Sequence, residues 1–120
     1  KCVLVRRDTR EKIFCSLDNV EAEVAKLLEA MQVEMLERAR AHREEHTYVA
    51  TTMEEFEKFF TEKAGFVKAM WCGEQGYEDT IKEKLAVTSR CMPFTQEQLS
   101  ETCVCCGKPA TKMVYWGKAY

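Results

Sequence analysis

The apolar positions change period several times along the chain, and each change marks an element. Cys2-Val3-Leu4-Val5 is a short run of β-type residues closed by Arg6-Arg7-Asp8-Thr9, and Lys12-Ile13-Phe14-Cys15-Ser16 is a second extended stretch. Together they predict a hairpin. A lone two-stranded hairpin is barely stable in water, so its sheet neighbours are expected elsewhere. Val20, Val24, Leu27, Leu28, Met31 and Met35 then recur at helical spacing, with Glu, Arg and Lys between them. Asp18-x-x-Glu21 offers a capping box at the start, and no Gly or Pro intervenes before His46. The spacing predicts one helix of roughly 25 residues, about 40 Å long. That length suits a brace between two bodies as well as an ordinary amphipathic core helix.

From His46 onward the elements are shorter. Thr47-Tyr48-Val49-Ala50 reads as a strand, and Thr52-x-x-Glu55 is a second capping box. Phe56, Phe59 and Phe60 mark one helical face, with Gly65 as the natural stop. Phe66 to Trp71 is a strand, Tyr77, Ile81 and Leu85 are the stripe of a short helix, and Val87 to Met92 is a strand ended by Pro93. A polar loop and a cysteine cluster separate these from a last strand, Lys112 to Trp116. The order βαβα followed by two strands predicts an α/β (α+β) fold. Its form is a two-layer sandwich with a four-stranded mixed sheet, preceded by the long helix.

Composition supports a folded chain: 120 residues, 46% hydrophobic, with no internal repeat and no low-complexity stretch. No apolar run reaches the ~18–20 residues needed to span a bilayer. The chain starts at Lys1 without a Met and without a basic-then-apolar leader, which reads as a trimmed or partial chain from the cytosol. Net charge is −2, so global attraction to nucleic acid is not implied. Locally the balance differs. Lys1, Arg6, Arg7, Arg10 and Lys12 outnumber Asp8 and Glu11 in the first 12 residues, and the last 13 hold Lys108, Lys112 and Lys118 with no acid.

The chemistry lies in the cysteines. There are seven, an odd number that argues against a secreted disulfide framework, and Cys103, Cys105 and Cys106 crowd together. Cys103-Val-Cys-Cys106-Gly107 is a C-x-x-C followed by Gly, half of a zinc knuckle. The Gly is free to take positive φ, which lets amide N–H groups face the sulfurs. Cys72, followed by Gly73 after a strand, is the natural third ligand. A C-x4-C partner to Cys72 would fall at Tyr77, which carries no thiol, leaving Cys105 or Cys91 as substitutes. Bound zinc, an apo cluster of free thiols and a disulfide all remain open on these residues.

Catalytic signatures are missing. No G-x-S-x-G, P-loop or H-E-x-x-H occurs, and neither His42 nor His46 is next to a cysteine in sequence; both stand where a helix C-terminus favours positive charge. Arg6, Arg7, Arg10 and Lys12 beside a strand suit phosphate contacts or simply an ordinary charged hairpin.

Several segments, in order, resemble the end of a prolyl-tRNA synthetase of the eukaryotic and archaeal kind. Val5-Arg6-Arg7-Asp8-Thr9 with Glu11-Lys12 is similar to the closing strand of its anticodon-binding domain. Arg38-Ala39 with Arg43-Glu44-Glu45-His46-Thr47 resembles the linking helix and next strand. Phe66-Val67, Trp71-Cys72-Gly73, Thr88 to Phe94, Cys103 to Pro109 and Gly117-Lys118-Ala119-Tyr120 complete the pattern.

The resemblance implies a piece of a class II aminoacyl-tRNA synthetase, a cytoplasmic ligase of protein biosynthesis that joins proline to tRNA(Pro) using ATP and Mg²⁺. It implies residues 1–17 as the tail of the anticodon-binding domain, with Arg10 and Lys12 near tRNA. Residues 18–120 become the C-terminal, often zinc-binding domain, supporting the catalytic domain. No catalytic residue falls in this chain, which alone should be inactive. Tyr120 would turn its carboxylate toward the active site, and homodimerisation would run through the absent part. The family's four-cysteine zinc site maps onto Cys72, Cys103, Cys106 and, with Tyr77 in place of the usual fourth, Cys105. Two rival readings are a freestanding zinc-ribbon-like interaction module and a small thiol redox protein built on Cys103, Cys105 and Cys106.

Overall fold

A computed structural model describes residues 1–119, which divide after His42 into two compact units. In the first, β1 (Cys2–Val5) and β2 (Lys12–Cys15) pair antiparallel, with Cys2 opposite Cys15 and Val5 opposite Lys12. The turn closes through Arg6 N–H to the Glu11 carbonyl (2.9 Å) and Arg10 N–H to the Arg6 carbonyl (2.9 Å), with Arg10 left-handed at φ 66. A 3-10 turn, Leu17–Asn19, leads into α1 (Val20–Glu45), the predicted long helix. Its cap differs from expectation. Ser16 Oγ accepts the Asp18 amide at 3.3 Å, so Ser16 caps the leading turn and Asp18 lies inside it.

This first unit has almost no interior. Its one buried described side chain is charged: Arg6, 7% exposed, gripping Asp8 with two hydrogen bonds (2.8 and 3.1 Å) and reaching Glu34 on α1 at 2.7 Å. Arg38 adds a contact to Asp8 at 3.3 Å. The Arg6 guanidinium holds the Asp8 carboxyl well below the usual carboxylate range and lowers Glu34 as well. Meanwhile Val3, Val5, Phe14, Leu17, Leu28, Met35 and Leu36 stay exposed, and α1 buries no residue.

The second unit holds the core. It runs β3 (Thr47–Val49), α2 (Met53–Glu62), β4 (Phe66–Trp71), α3 (Gln75–Leu85), β5 (Val87–Cys91) and β6 (Lys112–Lys118). The sheet order is β3-β4-β6-β5, with β3 parallel to β4 and β6 antiparallel to both its neighbours. This is the mixed four-stranded α/β arrangement expected. Because strand side chains alternate, Val67 and Ala69 of β4 and Val114 and Trp116 of β6 fall on one face, where they pack with Phe56, Phe60 and Ile81 of the helices. Phe56 meets Phe60 and Trp116 edge-on at 4.9 and 5.8 Å. Met70 and Met113, on alternate positions, join Cys103 and Ala110 in a second cluster beneath the cysteine loop.

The helix ends show how local chemistry is used. Thr52 Oγ1 accepts the Glu55 amide at 3.2 Å, while the Glu55 carboxylate reaches back to the Thr51 amide at 2.9 Å, one residue earlier than a standard box. Gly65 is not the cap of α2, whose C-cap is Lys63. Instead, a Cβ at Gly65 (φ +138) would lie 2.0 Å from the His46 carbonyl oxygen, so the glycine permits a close backbone approach. The polar loop after β5 is pinned by glutamines. Gln96 exchanges hydrogen bonds with the Met113 backbone (2.6 and 3.2 Å), serving as a side-chain surrogate for a strand.

Candidate metal centre

Two turns, one after β4 and one before β6, build the site. Cys72 follows the last residue of β4, and Gly73 turns the chain at φ +91. In the second turn the Cys103 amide donates to the Lys108 carbonyl (2.7 Å) and the Gly107 amide to the Cys103 carbonyl (3.1 Å), with Gly107 at φ +71. A bridge between Thr102 and Pro109 closes its base, and the Val104 amide ties it to the Met70 carbonyl at 3.0 Å.

This folding brings Cys72, Cys103 and Cys106 together, their sulfurs all within 4.8 Å of one another. Cys106 and Cys72 stand 3.7 Å apart. Zinc–thiolate bonds of about 2.3 Å arranged tetrahedrally require sulfurs about 3.8 Å apart, so three corners of such a site are preformed. Burial is the largest influence on Cys103 and raises its thiol. The amides of Cys106, Cys105 and Cys72 together outweigh it and leave Cys103 below its ordinary value. Burial pushes Cys72 up to about 11, with the Glu74 amide pulling the other way. Donor amides around Cys103 are the environment a metal-bound thiolate needs.

Cys105 is not among the gathered thiols. It packs against the two apolar clusters, and burial raises its thiol. Tyr77 lies near the start of α3, its ring under the Lys108 ammonium at 5.3 Å, and Lys108 also grips the Glu74 carboxylate at 2.8 and 3.1 Å. Lys108 thereby joins the two turns. Cys91 is exposed at the end of β5. Arg10 and Lys12 are exposed on the first unit's hairpin, and Tyr120 lies outside the described residues.

A second feature was not read from the sequence. A cavity of about 590 Å³ opens among Arg43, Thr47, Val49, Phe66, Lys68, Arg90 and Tyr115. The alternation of Phe66 and Lys68 with buried Val67 and Ala69 was its signal, masked because the strand reads as apolar almost throughout. No helix among the described residues is long and apolar enough to cross a membrane.

In class, the second unit is a two-layer α/β domain in which two turns gather three thiols. Residues 53–120 match the family described as "Prolyl-tRNA synthetase, C-terminal". The whole chain is 62% identical to a proline–tRNA ligase of Lachnoclostridium phytofermentans and 61% identical to one of Lachnospira eligens, in each case over 25% of the relative's length. A "Proline--tRNA ligase 2" of Bacillus cereus is 56% identical over 98% of the chain and 25% of its own length. The chain therefore belongs to the prolyl-tRNA synthetase C-terminal family. It spans about a quarter of the length of these relatives, all of them bacterial.

Proposed function

We propose that this chain is the noncatalytic C-terminal part of a proline–tRNA ligase, the class II aminoacyl-tRNA synthetase that charges tRNA(Pro) with proline using ATP and Mg²⁺ in the cytoplasm. The observation that carries the proposal is a match over the chain's full length to ligases four times as long. The coreless first unit supports it. Apolar side chains such as Phe14, 72% exposed, and Leu28, 62% exposed, need a body to cover them. The remaining three quarters of a ligase would supply that body.

On this reading residues 1–17 end the anticodon-binding domain, where the exposed Arg10 and Lys12 are available to tRNA. Residues 18–120 form the C-terminal domain in the layout of eukaryotic and archaeal enzymes, here in a family with bacterial members. Cys72, Cys103 and Cys106 would hold zinc, which when bound is a structural cross-link between the two turns. Cys105 is the thiol nearest in sequence for a fourth ligand but faces the apolar clusters. The ligase dimerises through the part outside this chain.

The test is a chimera. The matching quarter of the L. phytofermentans ligase is deleted or replaced by this chain, and aminoacylation of tRNA(Pro) is measured. The deletion should be inactive and the chimera active, with weaker activity when Lys118-Ala119-Tyr120 is removed. An inactive but folded chimera would overturn the proposal. Prolyl-adenylate synthesis by the 120-residue chain alone would do the same.

A further inference from the structure

Outside the three gathered thiols, two further cysteines are held in contact. Cys2 and Cys15 are opposed across the β1–β2 hairpin, at the end remote from its turn. Their sulfurs are 3.3 Å apart, inside an ordinary thiol–thiol hydrogen bond, and Cys2 Sγ also faces the Cys15 carbonyl at 3.7 Å. Opposed antiparallel residues have Cα atoms about 4.5–5.5 Å apart, within the roughly 4.4–6.8 Å that a disulfide spans. Both side chains are partly exposed in this chain.

We propose that Cys2 and Cys15 form a reversible disulfide, a peroxide-sensitive modification site that staples the open end of this hairpin. One thiol ionises and its thiolate attacks the peroxide O–O bond, giving a sulfenic acid and hydroxide, which takes up the thiol's released proton to become water. The second thiol likewise ionises, its thiolate attacks the sulfenic sulfur and expels hydroxide, and the released proton converts that hydroxide to water. In sum two thiols and one hydrogen peroxide give one disulfide and two waters; the sulfurs are oxidised and the peroxide reduced. A dithiol reductant reverses the step, readily so because the bridge is partly exposed. The hydrogen bond shared with Cys2 holds the Cys15 thiol above its ordinary value, which slows the first step at neutral pH and keeps the pair reduced until peroxide rises. The staple matters because a two-stranded ribbon is marginal, and this one carries Arg10 in its turn and Lys12 at its other end.

The experiment treats the native chain with substoichiometric hydrogen peroxide, alkylates the remaining thiols and maps non-reduced tryptic peptides by mass spectrometry. Cleavage after Arg10 or Lys12 leaves the two cysteines on separate peptides that only a disulfide joins. The Cys2–Cys15 product should appear first, at least about tenfold faster than in the urea-unfolded chain, because the folded hairpin supplies the effective concentration. In Cys2→Ser it should vanish, with Cys15 trapped as sulfenic acid by dimedone, while Cys91→Ser leaves it unchanged. The proposal is overturned if Cys72–Cys106 linkage or intermolecular dimers precede it. Equal rates in native and unfolded chains would also overturn it.

Discussion

The tightest backbone approach in the second unit gives a sharp test of the fold. At Gly65→Ala the new Cβ would start 2.0 Å from the His46 carbonyl oxygen, and ordinary contact begins near 3.4 Å, so about 1.4 Å of movement is required. That oxygen accepts the Phe66 amide at 2.8 Å, at the first paired position of β3 with β4. A displacement of this size takes the bond out of range. The loss costs about 1 kcal/mol. An alanine held at φ +138 adds roughly 1–3 kcal/mol of strain. The total of about 2–4 kcal/mol corresponds to a fall of roughly 10–25 °C in Tm for a unit of this size. Urea denaturation followed by tryptophan fluorescence reads it, since Trp71 and Trp116 both lie in this unit. Gly76→Ala is the control: its Cβ meets nothing within 4 Å, and in α3 it should be neutral or stabilising by up to about 1 kcal/mol. If Gly65→Ala unfolds within about 1 kcal/mol of the wild type, the argument from close approach fails.

Three further outcomes are expected. Zinc added to the reduced chain should bind at about one ion per chain and protect Cys72, Cys103 and Cys106 from alkylation ahead of Cys91 and Cys105, a pattern read by mass mapping with and without chelator. Tyr77→Cys should tighten zinc binding at least about tenfold in a competition titration, and unchanged affinity would mean residue 77 cannot reach the metal. The third outcome concerns pH. Asp8 and Glu34 have folded values below their unfolded ones, so their contribution is complete above about pH 4–5 and is lost as pH falls through the depressed range. Protection of the Arg6 and Arg10 amides against hydrogen exchange should therefore hold from neutral pH down to about 4 and decline below it. A loss beginning near pH 6 would point to other groups.

The element order was legible because period and breakers agree: the Phe56-Phe59-Phe60 face, the uninterrupted stretch before His46 and Pro93 after β5 each permit one reading. The order of strands in the sheet was not. Nothing in Lys112–Trp116 says that β6 inserts between β4 and β5, since that depends on which edge offers the better apolar face. Caps were half-legible. Ser16 and Asp18 have equivalent side-chain chemistry for capping, and only the 3-10 turn chooses between them. Ala86 ends α3 in the left-handed region at φ 57, where sequence reasoning looks for Gly or Asn. In the site, the C-x-x-C spacing identified Cys103 and Cys106, and the strand end identified Cys72. Cys105 sits between two of these, and its direction is a matter of turn geometry that spacing does not encode.

The sulfur geometry also bears on what a metal would contribute. In small zinc domains the ion supplies the folding energy, because no core forms without it. Here the cysteine turn is closed by its own amides, tied to β4 through Val104 and Met70, and seated on Met113 and Ala110. Its partner turn is joined to it by Lys108, which reaches both Glu74 and the Tyr77 ring. Exposed ion pairs contribute little each, so this joint defines position more than it adds stability. The aromatic core of Phe56, Phe60 and Trp116 lies on the other face of the sheet and involves none of the three gathered thiols. Zinc would therefore enter a site already shaped, and its removal should loosen the two turns while leaving the sheet and helices folded. Chelation that unfolds the tryptophan-bearing core along with the turns would contradict this order of dependence.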